Sequence, residues 1–119
     1  MTTLRPTTML PKSSYVIFGA TGGVGSALSR SLAANGDSLC LVGRNPDGRQ
    51  RLAEELGAEH ATCDATNGDQ VSACFAAAID SLGRIDGVAH CVGSLLLKPG
   101  HLTTPAQWDE TIATNLTSA

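Results

Sequence analysis

Gly19-Ala20-Thr21-Gly22-Gly23-Val24-Gly25 decides the fold. Four glycines in seven residues carry a conformational entropy cost that a plain connecting loop need not incur. The flanks give the reason. Upstream, Ser14-Tyr15-Val16-Ile17-Phe18 is a short apolar run ending at a glycine, and it reads as a central strand dry on both faces. Downstream, residues 23–34 place Val24, Ala27, Leu28, Ser31 and Leu32 at helical spacing, and Asn35-Gly36 ends the helix. The glycines therefore sit at a strand–turn–helix junction.

The same alternation continues outward. Leu39 to Val42 reads as a second strand, followed by a cap at Asn45, Pro46 in a first turn, and a helix carrying Leu52, Ala53 and Leu56. Gly48 leaves the start of that helix open. His60 to Cys63 reads as a short third strand ending at Asp64. Thr66 or Asn67 caps a helix to about Leu82, with Val71, Cys74, Phe75, Ala78 and Ile79 as its stripe. Residues 85–91 contain a fourth strand. A loop from 93 to 104 leads to Thr104, Pro105 and Gln107, a capping box that opens a helix expected to continue through Trp108, Ile112 and Leu116 to the last residue. Strands alternating with helices every 20–25 residues predict βαβ units. The expected fold is α/β: a three-layer Rossmann-type domain whose partial, doubly wound parallel sheet has about four strands.

The chain has 119 residues, which argues for one domain. At 42% hydrophobic and 16% charged residues it can bury a core. Its net charge of −3 gives no pull toward nucleic acid or an anionic membrane, and no apolar run is long enough to span one. Cys40, Cys63, Cys74 and Cys91 form no CxxC pair and are not at metal-ligand spacing with His60, His90 or His101, so no metal site is expected. Three of them fall in or at the ends of candidate strands and read as small buried hydrophobes in a reducing, cytoplasmic compartment. Residues 1–13 read as a disordered tail; Arg5 and Lys12 without an offsetting acid leave a targeting segment as the alternative. The span 14–119 is expected to be a partial, truncated domain, because the last helix has no C-cap and the fourth strand is an open edge.

The turn carries the chemistry. Gly19 lets the chain turn, Gly23 lets backbone approach a ligand, and Gly25 lets helix pack on strand. The amides at the helix start, with its dipole, suit a diphosphate. Gly19, Thr21, Gly22, Gly23, Val24 and Gly25 are thus the candidate diphosphate-binding residues. No Gly-Lys-Ser/Thr follows, so a Walker A reading fails. A flavin or a sugar nucleotide would use similar geometry. Arg44 follows the second strand, where such folds read the adenosine ribose; a guanidinium there suits the 2′-phosphate of NADP, with NAD still possible. The alternative for Arg44 is a solvated surface arginine; Arg49 and Arg51 read as ordinary helix-surface residues, with a contribution to the positive field there as the alternative. Asp64 is placed to accept from an adenine amino group, with an Asx turn as the alternative. Ala65 would offer backbone groups to the ring.

These residues resemble the short-chain dehydrogenase/reductase family, in its classical branch. The family signature Thr-Gly-x-x-x-Gly-x-Gly falls on residues 18–25, with Phe18 in place of the threonine. Asp64 and Arg44 match the family's adenine-facing aspartate and the basic residue of its NADP-preferring members. The Asn-Asn-Ala-Gly motif falls on His90, Cys91, Val92 and Gly93, where only the glycine is retained; the resemblance implies that Val92 and Gly93 line the cofactor ribose. Asn115, in TIATNLTS, matches the asparagine that bends a helix and holds a proton-relaying water, which implies a catalytic role.

The resemblance implies an NADP(H)-dependent oxidoreductase that moves hydride between nicotinamide and a small carbonyl or alcohol, as a homo-oligomer in its complete form. The family's serine and Tyr-x-x-x-Lys pair cannot be placed in these residues, so whether this chain alone is an enzyme stays open. Tyr15 has no lysine four residues on. A non-catalytic dinucleotide-binding or regulatory domain, and a structural partner-binding module, are the alternatives. The substrate is not legible.

Overall fold

A computed structural model describes residues 12–119. The expectation for residues 1–11 lies outside the described residues. The elements run β1 (Ser14–Phe18), α1 (Gly23–Ala34), β2 (Ser38–Gly43), α2 (Pro46–Leu56), β3 (Glu59–Thr62), α3 (Gly68–Leu82), β4 (Gly87–His90) and α4 (Pro105–Ile112). A short 3-10 turn, Gly100–Leu102, interrupts the loop before α4, and a π-helical turn, Ala113–Thr117, follows it.

All strand pairs are parallel and the sheet order is β3-β2-β1-β4. The order reverses at β1, so helices cover both faces in three layers. Alternation along β1 and β2 sorts their side chains. Ile17, Leu39 and Leu41 face Leu52 and Ala53 of α2 and Leu28 and Leu32 of α1. Val16, Phe18, Cys40 and Val42 face Cys74 and Ala78 of α3. Val16, Ile17, Leu41 and Val42 are fully buried; each such side chain contributes about 1.5–3 kcal/mol by leaving water. The two central strands are therefore dry on both faces, while β3 and β4 form the edges.

Caps set the boundaries. Asn45 Oδ1 accepts from the amides of Asp47 and Gly48, so α2 begins at Pro46 despite Gly48. Asn67, not Thr66, caps α3 through the Gln70 amide at 3.1 Å. Thr104 and Gln107 form the expected capping box.

Three expectations are corrected. β3 ends at Thr62, and Cys63 and Cys91 each lie one residue beyond a strand, because the ladder ends where the chain leaves for the next helix. Ile79, expected in the stripe of α3, is half exposed, since α3 packs on the sheet through Cys74 and Ala78. The last helix is not continuous: α-helix ends at Ile112, and Trp108, Ile112 and Leu116 are 63%, 37% and 67% exposed. No sheet face lies beneath α4 among the described residues, so its apolar side stays uncovered.

Asp86 ties the entry of β4 to the entry of β1. Its Oδ2 accepts from the Ser14 amide at 2.7 Å and from Arg84 Nε at 3.0 Å. The Ser14 amide, and then Arg84, hold this carboxyl below the usual range. Its contribution is therefore present above the unfolded carboxylate pKa of about 3.9 and is lost as pH falls through the lower folded value. Asp86→Asn is expected to be less stable at neutral pH, with a shallower loss on acidification. Denaturation midpoints measured against pH check this; parallel profiles would refute it.

Candidate cofactor site

Two close approaches build the glycine turn. Gly19 has φ +73°, and a Cβ there would lie 2.6 Å from the Cys91 carbonyl oxygen. The Gly19 amide donates to Val42 O at 2.9 Å, and its carbonyl accepts from the Gly22 amide at 3.2 Å. A Cβ on Gly25 would lie 2.0 Å from that same Gly19 oxygen. The first turn of α1 thus rests directly on backbone, as the sequence reading requires. Ser29, fully buried, donates from Oγ to Gly25 O at 2.7 Å and closes this contact.

Gly23 is different: nothing lies within 4 Å of where its Cβ would be. The first helical amide with a backbone acceptor is Ser26, bonded to Gly22 O at 2.9 Å. Among the described residues the amides of Gly23, Val24 and Gly25 have no acceptor, and Gly22 provides no side-chain cap. Three free donors at the positive end of a helix dipole form a receptor for an anionic oxygen group.

A cleft of about 290 Å³ opens above the carboxyl ends of the strands. Of the residues named from sequence, Gly19, Thr21, Gly22, Arg44, Asp64, Ala65, Val92 and Gly93 line it. Gly23 and Val24 stand exposed at the helix start, Gly25 is buried beneath the turn, and Asn115 lies behind Gly93. Thr114 and Ser118, from the π-turn, also line the cleft. Sequence reading did not single them out, because their position depends on the change of helical pitch.

Asp64 does not present both oxygens freely. Its Oδ1 accepts from the Thr66 hydroxyl at 2.7 Å and the Thr66 amide at 3.0 Å, which is the Asx turn. Those bonds, with Arg44 as a lesser influence, hold its carboxyl below the usual range. Arg44 is exposed at the cleft wall. Arg49 corrects the sequence reading. It is only 6% exposed; its Nη1 donates to Gly43 O at 2.9 Å and its Nε to His60 Nδ1 at 3.1 Å. It is not a helix-surface residue, because its position on α2 turns it toward the β2–β3 edge.

Asn115 joins the π-turn to the loop after β4. Its Oδ1 accepts from the Ser94 amide at 2.9 Å, and its Nδ2 donates to Thr111 O at 2.9 Å and to Ser94 Oγ at 3.2 Å. The side chain thus takes up the carbonyl of residue 111, while the Ser118 amide reaches five residues back to Ala113 O at 2.9 Å. Ser118 Oγ donates to Thr114 O and meets His90 Nε2 at 3.1 Å, so the π-turn is fastened to β4 as well. Asn115→Ala is expected to speed exchange of the Ser94 amide by about tenfold, the scale of one lost net hydrogen bond, while the β1 and β2 amides are unchanged. Residue-resolved hydrogen exchange reads this, and unaltered Ser94 protection would contradict it.

The four cysteines are free. Cys40, Cys63 and Cys74 are buried together on the α3 side of the sheet. Burial, with the neighbouring thiols, pushes Cys74 up to about 11, and burial raises Cys40 and Cys63. They are protonated, apolar core groups, whereas Cys91, also read from the sequence as buried, is only partly buried and lines the cleft. No helix among the described residues is long and apolar enough to cross a membrane.

A parallel sheet that reverses its order at β1, with a glycine turn and free helix-start amides at that point, defines a Rossmann-type domain, a fold capable of dinucleotide binding. The chain belongs to the short chain dehydrogenase family, whose profile matches residues 14–119. It is similar to D-threitol dehydrogenase of Mycolicibacterium smegmatis, with 30% identity over 106 residues, covering 85% of this chain and 41% of that protein. It is also similar to the solved short-chain type dehydrogenase/reductase of Mycobacterium ulcerans, with 28% identity and a TM-score of 0.84, covering 92% of this chain and 44% of that one. The 3-ketoacyl-(acyl-carrier-protein) reductase of Brucella melitensis, solved with NADH, shares the fold at TM-score 0.84 and 23% identity, over 89% of this chain and 45% of that one. The chain spans less than half the length of these proteins.

Proposed function

We propose that residues 14–119 cradle NADP(H) for an oxidoreductase acting on a small carbonyl or alcohol substrate. The observation that carries this reading is the set of free amides of Gly23, Val24 and Gly25 beside a cleft walled by Arg44. The residues fit the cofactor: the open space at Gly23 admits a diphosphate, and an exposed guanidinium at Arg44 suits a 2′-phosphate better than a ribose hydroxyl. The cofactor, when bound, supplies hydride exchange at its nicotinamide ring. The chain's residues bind and orient. The 19–25 turn holds the diphosphate, Arg44 selects the 2′-phosphate, and Asp64 with Ala65 borders the adenine. Val92 and Gly93 border the ribose.

Asn115 takes the role of proton-relay support in this reading, through the geometry it imposes on Ser94 and the π-turn. The family's Tyr-x-x-x-Lys pair is not placed among these residues: the single tyrosine, Tyr15, is in β1, packs with the α1–α2 side of the core and has no lysine four residues on. Homo-oligomerisation of the complete protein and a cytoplasmic location belong to the same reading. Calorimetric titration of the chain with NADP+ and NAD+ tests it. NADP+ is expected to bind about tenfold or more tightly than NAD+, and Arg44→Ala to remove the difference. Equal affinities in the parent chain would refute the NADP assignment, and no binding of either would refute the site.

A further inference from the structure

Arg49 is a buried guanidinium with no carboxylate paired to it among the described residues. A buried cation is costly unless its donors are satisfied, and both acceptors observed here are neutral. One is the carbonyl of Gly43, the last residue of β2 and the one immediately before Arg44. The other is His60 Nδ1, on the edge strand β3. A guanidinium stays protonated at all ordinary pH values and has no acceptor, so His60 Nδ1 must carry a lone pair for this bond to exist.

From this we infer that Arg49 is a positioning residue for 2′-phosphate recognition: bonded to His60 Nδ1 and Gly43 O, it anchors the end of β2 so that Arg44 is presented to the cleft. Arg49 itself does not line that cleft. This rests on the reading above that Arg44 selects the 2′-phosphate. The Arg49–His60 bond is lost if His60 Nδ1 takes up a proton. His60 is exposed, so a proton can reach it. On its face of the sheet, α2 supplies Arg49, and the β2 residues directed there, Leu39 and Leu41, carry no charge. Glu59, the residue before His60, pairs in register with Cys40, and the Cys40 thiol feels both Glu59 and Arg49. Among the described residues no carboxylate forms an ion pair with Arg49. A proton on His60 Nδ1 turns an acceptor into a donor and sets two cations about one hydrogen-bond length apart. Arg49 then leaves, and Gly43 loses its tether.

The test is calorimetric titration of the full chain with NADP+ and with NAD+ at about pH 8 and about pH 5, either side of the range where imidazoles protonate. The phosphate of NADP+ also titrates in that range, so His60→Gln, which keeps an acceptor but cannot charge, is measured alongside. The parent chain is expected to lose about tenfold in NADP+ affinity beyond what His60→Gln loses, with NAD+ affinity nearly constant in both. Arg49→Met is expected to lower NADP+ affinity about tenfold at the higher pH, Arg49→Lys to restore part of it, and circular dichroism to show all variants folded. If NADP+ preference is present and Arg44→Ala removes it, but Arg49→Met keeps it or the parent and His60→Gln profiles coincide, this inference fails while the NADP reading survives. If the parent shows no NADP+ preference, both fail. Should Arg49→Met not fold, the comparison of parent and His60→Gln decides alone.

Discussion

Gly25→Ala is expected to remove a large share of the stability of the fold. The added methyl would sit 2.0 Å from the Gly19 carbonyl oxygen and 3.0 Å from Ala20 Cα. Both are backbone atoms, held by the Gly19 and Ala20 amides bonding to Val42 O. No flexible side chain can give way, so α1 must lift from β1. That separation would uncouple Leu28 and Leu32 from Ile17 and Leu41 and disturb the fully buried Ser29 bond. Overpacking a tight interior costs about 1–3 kcal/mol, and contact this short with fixed backbone belongs at or beyond the upper end. Natural domains have only about 5–15 kcal/mol in total. A large fall in the denaturation midpoint, or loss of cooperative unfolding, is the expected result. A midpoint within error of the parent would show that the helix does not pack on the turn as described.

Gly23→Ala separates binding from folding. Nothing lies within 4 Å of the new methyl, and the residue lies outside the left-handed region. Alanine at a compatible glycine is neutral or slightly stabilising, by about 0.4–1 kcal/mol at most. Dinucleotide affinity, however, is expected to fall by at least about tenfold, because the methyl occupies the approach to the free amides of residues 23–25. Titration with NADP+ and NAD+ should show the loss for both, since the diphosphate is common to them. Undiminished binding by a folded Gly23→Ala chain would place the diphosphate elsewhere and remove the basis of the functional reading. The two nearby glycines thus give different outcomes: one variant loses stability, the other keeps its fold and loses dinucleotide affinity.

Local chemistry made much of this legible in the sequence. The spacing of Gly19, Gly23 and Gly25 after an apolar run marks the turn, because few backbones other than a tight strand-to-helix bend need glycine at those places. Asn45-Pro46 and Thr104-Pro105 mark helix starts because a cap acts within three residues of itself. The alternating pattern implies a doubly wound sheet only if the strand order reverses after the third strand; the order β3-β2-β1-β4 supplies that reversal and brings Arg44, Asp64 and Gly93 to one edge. Asp64 was legible only as two alternatives; the structure shows its Oδ1 engaged by Thr66, and the adenine contact stays a proposal.

By itself, then, the sequence determined the alternation of strands and helices, the glycine turn and the caps. Each depends on residues a few places apart, whose backbone preferences act before any packing. Only the tertiary structure decided the burial of Arg49, which required β3 to pair with β2 so that His60 stood opposite α2. It likewise decided the form of the bend that the family resemblance implies at Asn115, a π-turn with Asn115 tied to Ser94 across 21 residues, and the exposure of Trp108 and Leu116, whose spacing implies a covered face. Helical periodicity states which side of a helix is apolar; whether anything lies against that side depends on strands and helices distant in the chain.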